Sequence, residues 1–266
     1  MIKLFLSIGI TMVLFAACST KPYSATNKVY KKQAAQYGRL LQQYPLKDSG
    51  TQFVGTTNFS MRAPNFIILH YTAQNSCDQT LKTFTMPSTK VSSHYVVCKS
   101  GTVFHMLNDY LRGHHAGVSK WGSLIDLNSG SIGIEIDNNG SEPFPEEQIS
   151  SLLNLLKRLK TTYNIPTPNF LGHADIAPGR KPDPGKYFPW ERLAKEGFGV
   201  WYDTTNVTVK PGFDGLQALR TIGYNIARPQ YAIQAYKLHF NQQDSTQMQT
   251  LTEVDNKIIT SLLDKF

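Results

Sequence analysis

Apolar and polar positions alternate along this chain in short runs separated by turn residues, with one long amphipathic stretch between them. Asn65-Phe66-Ile67-Ile68-Leu69-His70 is a brief apolar run that reads as a buried strand ending at His70. Ser92 to Lys99 and Thr102 to Leu107 flank Lys99-Ser100-Gly101, the pattern of a hairpin. Ser131 to Ile136 alternates as a strand, and Asn169 to His173 reads as a further short one. Between them, Pro145 to Tyr163 carries Ile149, Leu152, Leu153, Leu156 and Leu159 in one stripe, the mark of a helix packed on a core. Pro145, Glu146 and Glu147 suit its positive end; Lys157, Arg158 and Lys160 suit its negative end, and Asn164 and Pro166 stop it.

Strands alternating with helices over 52–202 predict an α/β domain: a central mixed β-sheet flanked by helices, with bounds 51–205. Beyond it, Asp214 to Tyr224, Gln230 to Phe240 and Thr252 to Leu263 predict a small C-terminal three-helix domain over 211–266. Residues 18–50 are polar and read as a tether with one short helix.

The N-terminus has a different character. Lys3 precedes an apolar run from Leu4 to Ala16, followed by Ala16-Ala17-Cys18. That run is too short to span a bilayer, which takes about 20 residues. It reads as an export signal over 1–17 of the lipoprotein type, cut before Cys18, with Phe15 where such signals usually carry Leu. More than one acyl chain on Cys18 would anchor the protein stably. Ser19 after the cysteine is compatible with delivery to the outer membrane, facing the periplasm. With Cys18 assigned to lipid, Cys77 and Cys98 remain, and an oxidising compartment permits but does not require their pairing. The chain has 27 basic and 19 acidic side chains, a formal charge of +8. An exported protein seldom meets nucleic acid, so an acidic envelope polymer is the expected partner.

The candidate chemistry lies in Gly172 to Gly185. Three prolines and two glycines stiffen the loop after His173, and it carries Lys181 and Asp183. His70 and His173 each end a predicted strand, so a shared sheet brings both imidazoles to one rim, and Asp183 closes the third side. Two His and one carboxylate give zinc three ligands and leave a position for water. Asp175 and Asp137 are rival carboxylates, and Asp175 suits a role bracing its own loop. Glu135 is the candidate proton carrier: it sits between Ile134 and Ile136, where an unpaired carboxylate is costly to bury, although a solvent-facing strand Glu would look the same. Lys181, two residues before Asp183, can reach the same pocket or stay an exposed loop lysine.

Several segments in order carry a resemblance: Ile68 to Ala73, Val91 to Tyr95, His115-Ala116-Gly117, Ser131 to Glu135, and His173 to Gly185 followed by Phe188-Pro189-Trp190. The chain resembles the zinc-dependent N-acetylmuramoyl-L-alanine amidases, in particular their AmiD-type outer-membrane lipoproteins, whose fold is shared with phage amidases and peptidoglycan recognition proteins. The resemblance implies one zinc ion on His70, His173 and Asp183, with Glu135 and Lys181 catalytic. It places His94 and Tyr95 near the cleft and His115 along the substrate groove, with His94 equally readable as a core histidine and His114 standing where the related motif often has Trp. It implies peptidoglycan or muropeptides as partner, a lipid anchor at Cys18, no nucleic acid, and action as a monomer. The rival readings are a non-catalytic peptidoglycan-binding lipoprotein, a lipoprotein stapling membrane to wall through 211–266, and a metallopeptidase cutting within the stem peptide; no His-Glu-x-x-His segment is present for the last.

Overall fold

A computed structural model describes residues 22–42, 56–58, 60–61, 63–243 and 248–266. The signal segment 1–17 and Cys18 lie outside the described residues. Among the described residues no helix is long and apolar enough to cross a membrane. The chain divides into two compact units, Met1–Asn58 and Phe59–Phe266. The first contains α1 (Ser24–Leu40), where the sequence pattern predicts a short helix within a tether.

The second unit is built on five strands: β1 (Phe66–Tyr71), β2 (Tyr95–Val97), β3 (Val103–His105), β4 (Ser131–Ile136) and β5 (Phe170–Gly172), in the order β3-β2-β4-β1-β5. β2, β4, β1 and β5 run parallel, and β3 is an antiparallel edge paired to β2 by the expected hairpin. The sheet is therefore mixed, as the pattern predicts. β2 is shorter than the apolar run that announces it. Ser93 and His94 leave the ladder: the Ser93 hydroxyl and the His94 N–H both donate to the Gly133 carbonyl.

Alternation places successive side chains on opposite faces. Ile67, Leu69, Ile132, Ile134 and Ile136 meet α4 (Glu146–Tyr163) on one face. The buried stripe of α4 is Ile149, Leu152, Leu155, Leu156 and Leu159; Leu153, expected in it, is half-buried at its edge. Gln148 is also buried, because its amide donates to the carbonyls of Val97 and Asp137 and ties the ends of β2 and β4 together. Phe66 and Ile68 face the other way, into a core shared with α7 (Gly215–Ile222), α8 (Pro229–Phe240) and α9 (Glu253–Leu262). Among the described residues the other α-helices of this unit are α2 (Cys77–Thr85), α3 (Leu127–Gly130), α5 (His173–Ile176) and α6 (Trp190–Lys195). Three C-terminal helices form as expected, but they are not a unit of their own: they share a core with the sheet that carries the candidate ligands, within the compact unit Phe59–Phe266.

α2 is absent from the apolar pattern because it is short and mostly exposed; its start is signalled only by Ser76, whose hydroxyl accepts the Gln79 N–H. Cys77 at that start is bridged to Cys98 just after β2, with a Cα separation of 5.4 Å. The bridge closes a loop of 21 residues, for which chain entropy gives about 3 kcal/mol. Reduction is expected to lower the thermal midpoint of the purified protein; an unchanged midpoint would mean that the reduced chain is already constrained.

Candidate metal centre and its surroundings

His70 and Glu135 are register partners on the parallel strands β1 and β4, so their side chains share the face opposite α4. β5 pairs with β1 on its other side and ends at Gly172, which delivers His173 as the first residue of α5. The stiff loop then folds back: the Ala174 N–H donates to the Asp183 carbonyl at 2.8 Å, holding Asp183 beside His173. Asp183 precedes a cis proline, Pro184, whose ring packs where a side chain at Gly172 would stand.

Three buried atoms converge as a result. His70 Nδ1 lies 2.9 Å from His173 Nδ1 and 3.0 Å from Asp183 Oδ2, and His173 Nδ1 lies 3.1 Å from the same oxygen. The opposite ring nitrogens have partners of their own. His70 Nε2 is 3.2 Å from His115 Nδ1, and His173 Nε2 is 3.1 Å from the Ala116 carbonyl; the Arg180 guanidinium, which donates to that carbonyl, also lies 2.9 Å from His173 Nε2. In the tautomer with Nε2–H on both rings, in which Arg180 donates to the carbonyl alone, two lone pairs and a carboxylate oxygen face one point. That donor set fits a divalent cation, and the spacing approaches the roughly 3.3 Å edges of a tetrahedral site with bonds of about 2.0–2.1 Å. The same three residues are the group able to hold a metal ion among the described residues.

Burial, with the neighbouring His173, pushes the His70 imidazole down from its ordinary 6.5 to about 4. The ring therefore stays neutral, as a ligand must be, into mild acid. Burial raises the Glu135 carboxyl well above the carboxylate range, the nearby Asp183 raises it further, and Lys181 opposes both. Lys181 is exposed, and its ammonium is close enough to act electrostatically on both His70 and Glu135.

A pH dependence follows for the metal-free chain. Between pH 6.5 and about 4 the unfolded state protonates His70 and the folded state does not. Stability is therefore full above 6.5 and is lost as pH falls toward 4, by about 3 kcal/mol for this group. Burial also lowers His94 and His115, which act in the same direction, whereas the raised Glu135 carboxyl acts in the opposite one, its cost growing as pH rises above 4.5. Urea midpoints of chelator-treated Glu135→Gln, in which the opposing carboxyl is gone, should therefore fall as pH drops through this window, and a flat profile in that variant would contradict the burial of His70.

The three residues that the resemblance places at the substrate are buried and bonded to neighbouring protein groups. His115 is buried behind His70, and its Nε2 approaches Ser131 Oγ at 3.4 Å. Its ring occupies the space above Gly133, where any Cβ would overlap it, so a strand glycine marks this close approach. His94 is fully buried; Gly133 N–H donates to its Nδ1, and its Nε2 lies 2.9 Å from the Leu111 carbonyl. Tyr95 is buried and donates to Asp109 at 2.9 Å. Each is engaged with neighbouring protein groups, which accounts for these polar side chains lying inside. His114 and His105 are exposed. Sequence reasoning missed Ser131, Gly133 and Arg180 as supports; only the glycine within β4 carried a local signal.

Residues 60–186 match the model of the N-acetylmuramoyl-L-alanine amidase family. The chain is 38% identical over 157 residues to the N-acetylmuramoyl-L-alanine amidase AmiD of Escherichia coli, covering 53% of this chain and 56% of that protein. It is 38% identical over 104 residues to the 1,6-anhydro-N-acetylmuramyl-L-alanine amidase AmpD of Haemophilus influenzae, covering 39% and 56%. The matches thus span little more than half the length of these curated relatives. Among solved structures, Escherichia coli AmiD in complex with the substrate anhydro-N-acetylmuramic acid-L-Ala-D-gamma-Glu-L-Lys superposes with a TM-score of 0.69 at 28% identity, over 83% of this chain and 97% of that one. AmpDh3 of Pseudomonas aeruginosa in complex with anhydromuramic pentapeptide gives 0.69 at 28% identity, over 84% and 99%.

Proposed function

We propose that this chain, whose residues 60–186 match the N-acetylmuramoyl-L-alanine amidase family, is a member of it and hydrolyses the amide between the lactyl group of muramic acid and L-alanine in peptidoglycan or its fragments. The observation that carries the proposal is the convergence of two imidazole nitrogens and one carboxylate oxygen within 3.1 Å, with Glu135 on the adjoining strand in register with His70. The solved complexes of similar proteins with anhydromuramyl peptides support the substrate class.

His70, His173 and Asp183 would hold a zinc ion, which supplies a lowered water pKa and a polarised carbonyl when bound. Glu135 takes the proton from the attacking water, and its raised proton affinity suits it to return that proton to the leaving amine of L-alanine. The Lys181 ammonium faces the negative charge that develops on the carbonyl oxygen. His115 and the Ala116 carbonyl hold the two imidazoles in the tautomer that points Nδ1 inward. Cys18 would carry the lipid, fixing a monomeric enzyme on the outer membrane with its site toward the periplasm, and the basic balance suits an acidic wall polymer.

The test is mass analysis of products from intact and anhydro-ended muropeptides, with and without chelator. Release of a free stem peptide beginning at L-alanine, abolished by the chelator and restored by zinc, is expected. Cleavage inside the stem would point to a peptidase, and binding without cleavage by zinc-loaded protein to a recognition protein.

A further inference from the structure

The loop that carries His173 and Asp183 is gripped from behind by α8. Tyr231 in the first turn of α8 covers Gly179, whose positive φ of 73° and lack of a Cβ let the ring lie against the backbone. Arg228, just before α8, donates to the Pro178 carbonyl. At the other end of α8, His239 Nδ1 lies 2.8 Å from Asp175 Oδ2. Asp175 is buried two residues after the ligand His173, and both its oxygens are committed. Oδ2 also accepts the Gly172 N–H at 2.7 Å, and Oδ1 accepts the Tyr224 hydroxyl at 2.8 Å. One carboxylate therefore ties the residue before His173, and the turn that follows, to Tyr224 just after α7 and to His239 in α8, 49 and 64 residues further along the chain. The His239 ring is itself stacked on Trp190, with centroids 3.7 Å apart and planes 16° apart. Trp190 in turn abuts Gly172, beside Pro184.

We propose that His239 is a positioning residue for the metal centre: through Asp175 it fixes the turn that aims His173, so the C-terminal helices are part of the site's scaffold. The Asp175 side chain does not reach the three ligand atoms. It acts through the backbone at Gly172 and the orientation of α5, in the manner of an outer-shell group that orients a ligand. The proposal rests on the reading of His70, His173 and Asp183 as ligands.

The test measures zinc affinity of the full chain by competition with a chromophoric chelator, together with the thermal midpoint of the metal-free protein. His239→Phe keeps a ring against Trp190 but removes the donor; its affinity should fall about tenfold or more. His239→Asn removes the stack but places an amide N–H near the position of Nδ1; its affinity should return to within about threefold of the parent even if the midpoint drops. A merely structural role predicts the reverse order, with the loss following the stack and the midpoint. Tyr224→Phe, which removes the other side-chain donor to Asp175, gives the same readout should His239→Phe fail to fold. Parent-like affinity in His239→Phe, or in Tyr224→Phe where that variant stands in, would overturn the proposal, as would an equal loss in His239→Asn. A parent that takes up no zinc would instead overturn the ligand reading and this inference with it.

Discussion

Turnover should fall by about 10²–10⁴-fold in Glu135→Ala while the metal content stays at the parent level. Glu135 is not among the three atoms that converge on the candidate centre, so its removal leaves the donor set intact. What is lost is a carboxyl in register with His70 whose proton affinity burial and Asp183 both raise. Such a group can accept a proton from water and release it to an amine near neutral pH, which an ordinary carboxylate does poorly. Glu135→Gln separates shape from acidity, because the amide keeps the volume but carries no transferable proton. Both variants should be equally slow. Near-parent turnover in either would remove Glu135 from the chemistry.

Asp183→Ala should act at the earlier step. Asp183 Oδ2 is the only anionic member of the triangle and lies 3.0 and 3.1 Å from the two imidazole nitrogens. Its loss leaves two neutral donors, so affinity should drop by more than the roughly 10–100-fold that follows loss of an outer-shell partner. The zinc content after dialysis reads this directly. Excess zinc should restore part of the activity of Asp183→Ala and none of that of Glu135→Ala. Stoichiometric zinc in dialysed Asp183→Ala would exclude this residue as a ligand. The opposite responses of the two variants to added metal distinguish holding the ion from moving the proton.

The elements that position the site were legible for unequal reasons. β1, β4 and α4 bury a continuous face, so their pattern is strong, and their ends lie within a residue of expectation. α2 and α6 are short, and what holds α2 in place is a disulfide, so neither announces itself by period. The ligands could be proposed because strands ending in His, followed by a stiff loop with an acid, are unusual together. The places of His94, Tyr95 and His115 could not be read the same way. A histidine in contact with substrate and a histidine bonded on both nitrogens within the interior look alike along a chain.

By itself the sequence determined which residues have the chemistry: two imidazoles at strand ends, an acid in a rigid loop, a carboxyl within an apolar strand. It also determined that Glu135 points away from its flanking isoleucines, since the period of a strand is a local property of the backbone. Tertiary structure alone decided which histidines face the metal centre and which support it. It also decided that an aspartate after His173 answers to a histidine 64 residues away. Those outcomes depend on register between strands and on helices docking across the sheet. Burial makes such pairings obligatory once formed, because a buried polar group without a partner is costly, but the partner is chosen by packing between segments that share no local pattern.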